Sequence, residues 1–288
     1  MTIDDILRIR LYNQQLVQPK FHSPDEVVSW LGAVQSQDYG GAKWALAQRL
    51  ENTSEEAIET AYANGDIIRT HVMRPTWHFV SPNDLRWMLE LTAPRIRRLM
   101  NYYDKQLGID AAEHKKCNDV IEKTLAGEQL TREELSNALI ANNIKAKGQR
   151  LGHIVMHAEL DQLICSGPRR GKPAVKRGSP NLQTGRQFTY MLLEERVPKA
   201  KDLDEEEALA ELTFRYFRSH GPAQVKDFVW WSGLTTEQAK RGLELNKTKL
   251  VSTTVEGITY WFDGNTYDGK TMPSTAYLLP NYDEYAIG

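Results

Sequence analysis

Arg218-Ser219-His220-Gly221-Pro222-Ala223 and Val255-Glu256-Gly257-Ile258 punctuate residues 205–262, and what they separate decides the fold. Glu205–Ser219 reads as a helix, broken at His220-Gly221-Pro222 because proline removes a backbone donor. Ala223–Trp231 and Thr236–Leu245 read as two further helices. Leu250–Val255 and Ile258–Phe262 then read as strands paired about Glu256-Gly257. Three helices and a hairpin describe a winged helix, a variant of the helix-turn-helix theme.

The same order is legible twice upstream. In the first copy Ile3, Ile6, Leu7 and Leu11 fall at helical spacing, and Ser23-Pro24-Asp25-Glu26 supplies an N-cap, a proline at N1 and a capping-box Glu. That second helix is expected to end near Gln35, ahead of Gly40-Gly41. Ala42–Leu50 and Glu55–Ala63 read as helices, and Ile67–Val72 with Thr76–Val80 as a hairpin. A connecting helix is expected from Pro82 to about Leu107. In the second copy Cys117–Ala126, the capping box at Thr131-Arg132-Glu133-Glu134 and Gly148–Leu160 are helical, with strands at Leu163–Ser166 and Phe188–Leu193. Thr275–Pro280 reads as a last strand, and a stop at Gly288 in what looks like an unfinished element suggests a missing segment.

The fold class is therefore α+β and mainly helical: tandem winged-helix units with β-hairpin wings and a C-terminal β element. The expected units are 1–108 with the connecting helix, 109–200 with a long wing, 201–265, and the beginning of a β segment at 266–288.

Composition narrows the function. With 288 residues, 41% hydrophobic and 26% charged, the chain has enough apolar surface for a sizeable core. No apolar run approaches the ~18 residues of a spanning helix, and the N-terminus lacks a signal-peptide core, so a soluble cytoplasmic protein without membrane contact is expected. Two cysteines, Cys117 and Cys165, exclude a disulfide scaffold and a four-cysteine zinc site. A net charge of −2 argues against a nonspecific polyanion coat but allows a local basic face. From Gln162 to Leu193 there is no acid, yet Arg169, Arg170, Lys172, Lys176, Arg177 and Arg186 all occur. Such a basic tip suits a phosphate backbone.

Several chemistries lack support. There is no GxSxG elbow, no phosphate-binding glycine pattern and no HExxH. His153 and His157 share a helical face, but no third ligand is evident, so neither a metal nor a cofactor is expected. What stands out is Gln35-Ser36-Gln37-Asp38 at the end of an apolar helix. Two amides one residue apart can hold a water, read a base edge, or simply cap orphan carbonyls. In Thr76-Trp77-His78-Phe79-Val80, alternation puts Thr76, His78 and Val80 on one face, open to a groove or to solvent.

Three motifs in order carry a resemblance: Leu31-Gly32-Ala33-Val34-Gln35-Ser36-Gln37, Arg74-Pro75-Thr76-Trp77-His78, and Leu279-Pro280-Asn281-Tyr282-Asp283-Glu284-Tyr285. Together they resemble the bacterial winged-helix DNA glycosylases of the AlkZ and YcaQ type, over nearly the whole chain. The resemblance implies tandem winged helices forming a DNA channel and a Gln-x-Gln catalytic motif, here Gln35 and Gln37. It implies excision of alkylated purines, in some members as crosslinks, from double-stranded DNA. Asp38, Arg74, Thr76, His78, Asp283, Glu284 and Tyr285 are the candidate pocket residues. The six cations above are the candidate DNA contacts, and a damaged purine nucleotide is the expected ligand of a nucleoid-associated monomer. Two other classes remain open: a noncatalytic DNA-binding regulator, and an adaptor whose winged helices contact proteins.

Overall fold

The computed structural model describes residues 1–171, 187–197, 202–264 and 276–288. Its elements run α1 (Ile3–Asn13), α2 (Pro24–Leu31), β1 (Ala33–Gln35), α3 (Tyr39–Ala47), α4 (Glu55–Asn64), β2 (Ile68–His71), β3 (Trp77–Val80) and α5 (Leu85–Gln106). They continue with α6 (Ala111–Leu125), β4 (Leu130–Thr131), α7 (Arg132–Ala141), α8 (Gly148–Leu160), β5 (Ile164–Arg170), β6 (Gln187–Leu192) and α9 (Leu193–Arg196). The last are α10 (Glu205–Ser219), α11 (Val225–Ser232), α12 (Thr236–Leu245), β7 (Val251–Val255), β8 (Ile258–Phe262) and α13 (Glu284–Ile287).

Each unit has the order helix, strand, helix, helix, strand, strand. In the first unit α2, α3 and α4 support an antiparallel sheet ordered β1-β3-β2. The second repeats this with α6, α7, α8 and the order β4-β6-β5. The third pairs β7 with β8, and a single bridge from Ala223 to Trp261 stands where the others have their first strand. Those first strands escaped the sequence reading because three residues, two residues and one bridge are too short to show alternation.

The first strand changes where the glutamines sit. The helix expected to reach Gln35 stops at Leu31, because Gly32 adopts φ +84°, a left-handed conformation that ends the helical path. A side chain there would also meet the Trp231 indole at 3.5 Å. Gln35 is thus the last residue of β1, opposite His78, and Gln37 lies in the loop that follows.

The first amphipathic helix does not belong to the first unit. Arg10 Nε donates to the Pro222 carbonyl at 2.7 Å and Asn13 Nδ2 to the Gly221 carbonyl at 2.8 Å, so α1 docks on the third unit. Ile6 packs there with Val255 and Tyr260.

The units share a core. The buried stripe of α5, including Leu85, Met88, Leu89 and Ile96, packs against Ile68 and Val80 of the first sheet. The same cluster holds Tyr216, Phe217, Phe228 and Trp231 from α10 and α11. Burial of this continuous apolar surface sets the first and third units face to face. The expected strand at Thr275–Pro280 does not form over 276–280, which pair with no strand among the described residues; the short helix α13 follows instead. No described helix is long and apolar enough to cross a membrane.

Candidate active site

The chain's last residues organise the seam between the first and third units. Asp283 caps α13, accepting the Tyr285 N–H at 2.9 Å, and is fully buried. It forms a bidentate pair with Arg49, in the turn that follows α3, at 2.7 and 2.8 Å. Arg49 is equally buried and donates also to Gln14 Oε1 at 2.7 Å and to the Ala45 carbonyl at 2.9 Å. Sequence reasoning named Asp283 but missed Arg49, because a lone cation on a helix reads as a surface residue.

Glu284 does the positioning. Its Oε1 accepts the backbone N–H of Gln35 at 2.7 Å, and its Oε2 accepts the Trp231 indole N–H at 2.7 Å. His220 Nε2 lies 3.5 Å from the same oxygen. Burial alone would raise this carboxyl, but the His220 contact and the Gln35 N–H hold it below the ordinary carboxylate range. A buried anion therefore ties β1 to α11.

Around that anchor the two amides part company. Gln35 is buried, and its Oε1 accepts from Arg74 Nη2 at 3.4 Å. Arg74 is half-buried; burial lowers its pKa and the charge of Glu284 opposes that. Gln37 is exposed, with Oε1 accepting the Trp77 backbone N–H at 3.4 Å. Between them the Ser36 N–H donates to the Trp77 carbonyl at 2.7 Å, and Arg69 Nε donates to the Ser36 carbonyl at 3.1 Å. The Trp77 ring lies over Arg69 and 4.4 Å from the His71 ring, whose Nδ1 contacts the buried Glu159 of α8. The glutamine loop is thus braced by all three units. Asp38 is its other end: Oδ1 accepts the Gly41 N–H at 3.1 Å and caps α3.

On the face expected to be open, His78 and Val80 are buried and Thr76 is part-exposed, and Val80 joins the core shared with the third unit, which corrects the expected exposure. His78 is 0% exposed, with Nδ1 donating to the Thr76 carbonyl at 2.9 Å. Burial, reinforced by the Arg74 charge, pushes its pKa down to about 3, so the ring is neutral at physiological pH. The His78 Nε2 and Thr76 Oγ1 are buried and have no hydrogen-bond partner among the described residues.

Two other expectations meet the structure differently. Arg169 pairs with Glu59 at 2.9 Å and lies over Tyr39 and Phe188, while Arg170 contacts Glu134. Of the stretch without acids in sequence, Arg169 and Arg170 thus meet carboxylates of α4 and α7. Lys172, Lys176, Arg177 and Arg186 lie outside the described residues. His153 and His157 do acquire a third group, because Asp104 of α5 accepts from both, at 2.7 and 2.9 Å. The hollow beside that cluster is lined by Arg97, Arg98 and Lys105 together with Asp104 and Asp110. Burial pushes Cys117 up to about 11 and Cys165 up to about 12, so neither is a nucleophile at neutral pH.

A cavity of about 890 Å³ opens between the first two units, lined by Arg69, Trp77, Arg132, Lys147, Phe188 and Tyr190 among others. Neither Gln35 nor Gln37 lines it; it meets their loop through Trp77 and Arg69.

Residues 28–288 match the family described as DNA glycosylase AlkZ-like. The chain belongs to that family. Its members are DNA glycosylases, which makes this chain an enzyme of DNA repair by class and agrees with the resemblance seen in the three motifs. A curated relative from Streptomyces sahachiroi, the interstrand DNA cross-link repair glycosylase, is 24% identical over 290 residues, covering 96% of this chain and 74% of its own. The solved structure of Streptomyces sahachiroi DNA glycosylase AlkZ superposes with a TM-score of 0.73 at 21% identity, covering 92% of this chain and 70% of that one. The mainly helical α+β fold is shared with it.

Proposed function

We propose that this AlkZ-like chain hydrolyses the N-glycosidic bond of cationic alkylated purines in double-stranded DNA, with water aimed by the amides of Gln35 and Gln37. The observation that carries this is the fixing of the Gln35 backbone by buried Glu284 while its side-chain carbonyl faces Arg74. A rigid amide next to an exposed one offers two acceptors from a defined loop, and orientation is what this chemistry requires.

Breaking a sugar–base bond passes through an oxocarbenium-like sugar, for which sugar hydrolases use an acid and a base carboxylate. Glutamine is neither. A purine alkylated at N7 or N3 already carries a positive charge, so it departs as a neutral base without a proton donor. The water oxygen bonds to C1′, the bond electrons return to the purine ring and cancel its charge, and the water's proton passes to solvent. An abasic site remains. The amide carbonyls accept hydrogen bonds from the water while it is placed, and they avoid the desolvation cost of a buried carboxylate beside the sugar. Arg74 and Glu284 balance each other electrostatically in the seam.

The reading includes a monomer acting on duplex DNA, with crosslinked alkylated purines as further substrates. That extension is supported by the description of the Streptomyces sahachiroi relative. The test is release of N7-methylguanine from a methylated duplex. Gln35→Ala and Gln37→Ala are each expected to slow release by roughly 10²-fold or more, the scale of losing one oriented polar group. Equal rates in wild type and both variants would remove the catalytic assignment. Efficient uracil release would contradict the requirement for a cationic leaving group. Binding without any base release would favour the regulator.

A further inference from the structure

We propose that Trp230 is a stacking platform for a nucleobase next to the reacting nucleotide, supplied by the third unit to the glutamine loop of the first. The proposal rests on the DNA-facing reading of that loop given above.

Helix α11 presents two consecutive tryptophans with opposite fates. Trp231 is fully buried and its indole N–H is held by Glu284. Trp230 is 66% exposed, an unusual position for the side chain with the most apolar area to bury. It also has a specific neighbour: the Arg74 guanidinium lies 5.7 Å from its ring, within cation–π range, and the same guanidinium reaches Gln35 Oε1 at 3.4 Å. Ring, cation and amide therefore form a row that begins in solvent and ends at the proposed water-binding carbonyl.

The row is built rigidly. Gly233 ends α11 with φ +69°, and a side chain there would lie 2.3 Å from the Met73 carbonyl oxygen. Only glycine lets the end of α11 close on the turn that carries Arg74, which fixes the ring relative to the first unit. An exposed indole beside a guanidinium fits a nucleic acid strand better than an apolar peptide. The ring offers a π face to a base, and the cation stays within reach of the strand's charge. Because stacking uses only the ring face, the platform is tolerant of which base it meets.

The experiment uses the full chain and a duplex bearing 2-aminopurine beside a tetrahydrofuran abasic analogue, so binding is read without turnover. Wild type is expected to bind and quench the 2-aminopurine. Trp230→Ala is expected to weaken binding by roughly 5- to 150-fold, the range of one base–aromatic stack, and to abolish the quench. Trp230→Phe is expected to recover much of both, with thermal unfolding unchanged in either variant because the side chain is exposed. Equal binding and quenching by wild type and Trp230→Ala would overturn the proposal. So would an equal loss in the Ala and Phe variants, which would mean that the aromatic face is not what binds. A wild type that binds and quenches but releases no methylated base leaves the platform standing and removes the hydrolytic reading instead.

Discussion

In the second unit the first strand runs directly into the next helix. Thr131 closes the ladder opposite Thr189 and is itself the N-cap of α7, in a capping box with Glu134. The third unit is built alike: Ala223 makes the bridge and Gln224 caps α11. In the first unit two residues intervene, Ser36 and Gln37, before Asp38 caps α3. The same junction that is a plain helix start in the second and third units is an extra loop in the first, and that loop carries the candidate chemistry. There the C-terminal tail adds buried carboxylates as braces. Repetition supplied the scaffold, and a small insertion with a distant clamp made one copy different.

Breaking the clamp should have the largest effect. Arg49→Met leaves Asp283 buried without its partner, and a loss of about 3–5 kcal/mol is expected in urea unfolding. The double variant Arg49→Met/Asp283→Leu should regain much of that stability, since no charge is then stranded. A single variant as stable as wild type would show that the tail does not brace the first unit.

Next comes acid. The folded protein holds His78 at about 3 against an ordinary 6.5, so between those values the unfolded chain binds a proton that the fold rejects. The stabilisation is complete above pH 6.5 and declines as pH falls, by about 2 kcal/mol at about pH 5. Glu284, held below its ordinary 4.5, adds its own loss only at lower pH. His78→Leu should therefore flatten the difference between urea midpoints at about pH 7 and about pH 5. An unchanged slope would mean that His78 is protonated in the fold.

The mildest test sharpens the comparison from the other side. Thr131→Ala removes the α7 cap at the junction without a loop, at a cost of about 1 kcal/mol. Release of methylated base should be unaffected, whereas Gln35→Ala or Gln37→Ala at the equivalent junction of the first unit should slow it by roughly 10²-fold or more. A parallel loss of activity would place the second junction in the site as well.

Legibility followed length. Helices such as α10 and α12 announce themselves through periodic burial over 15 and 10 residues, and the hairpin β7–β8 through its Glu256-Gly257 turn. The first strands were invisible, so Gln35 and Gln37 were read at a helix end when they belong to a strand and its loop. The three motifs that name Gln35, Arg74 and Glu284 were readable, but nothing local shows that Glu284 grips the Gln35 backbone across 249 positions. Likewise Arg169 and Arg170 look unopposed until α4 and α7 bring their carboxylates.

By itself, the order of residues determined the kinds of element and the motif residues of the candidate site, because capping, turn chemistry and periodicity act over a few positions. Tertiary structure alone decided which groups meet: Arg49 with Asp283, Glu284 with Gln35 and Trp231, Arg74 with Trp230. Those contacts depend on how apolar faces from separate units close on one core, and such closure places distant polar groups together without leaving a local trace in the chain.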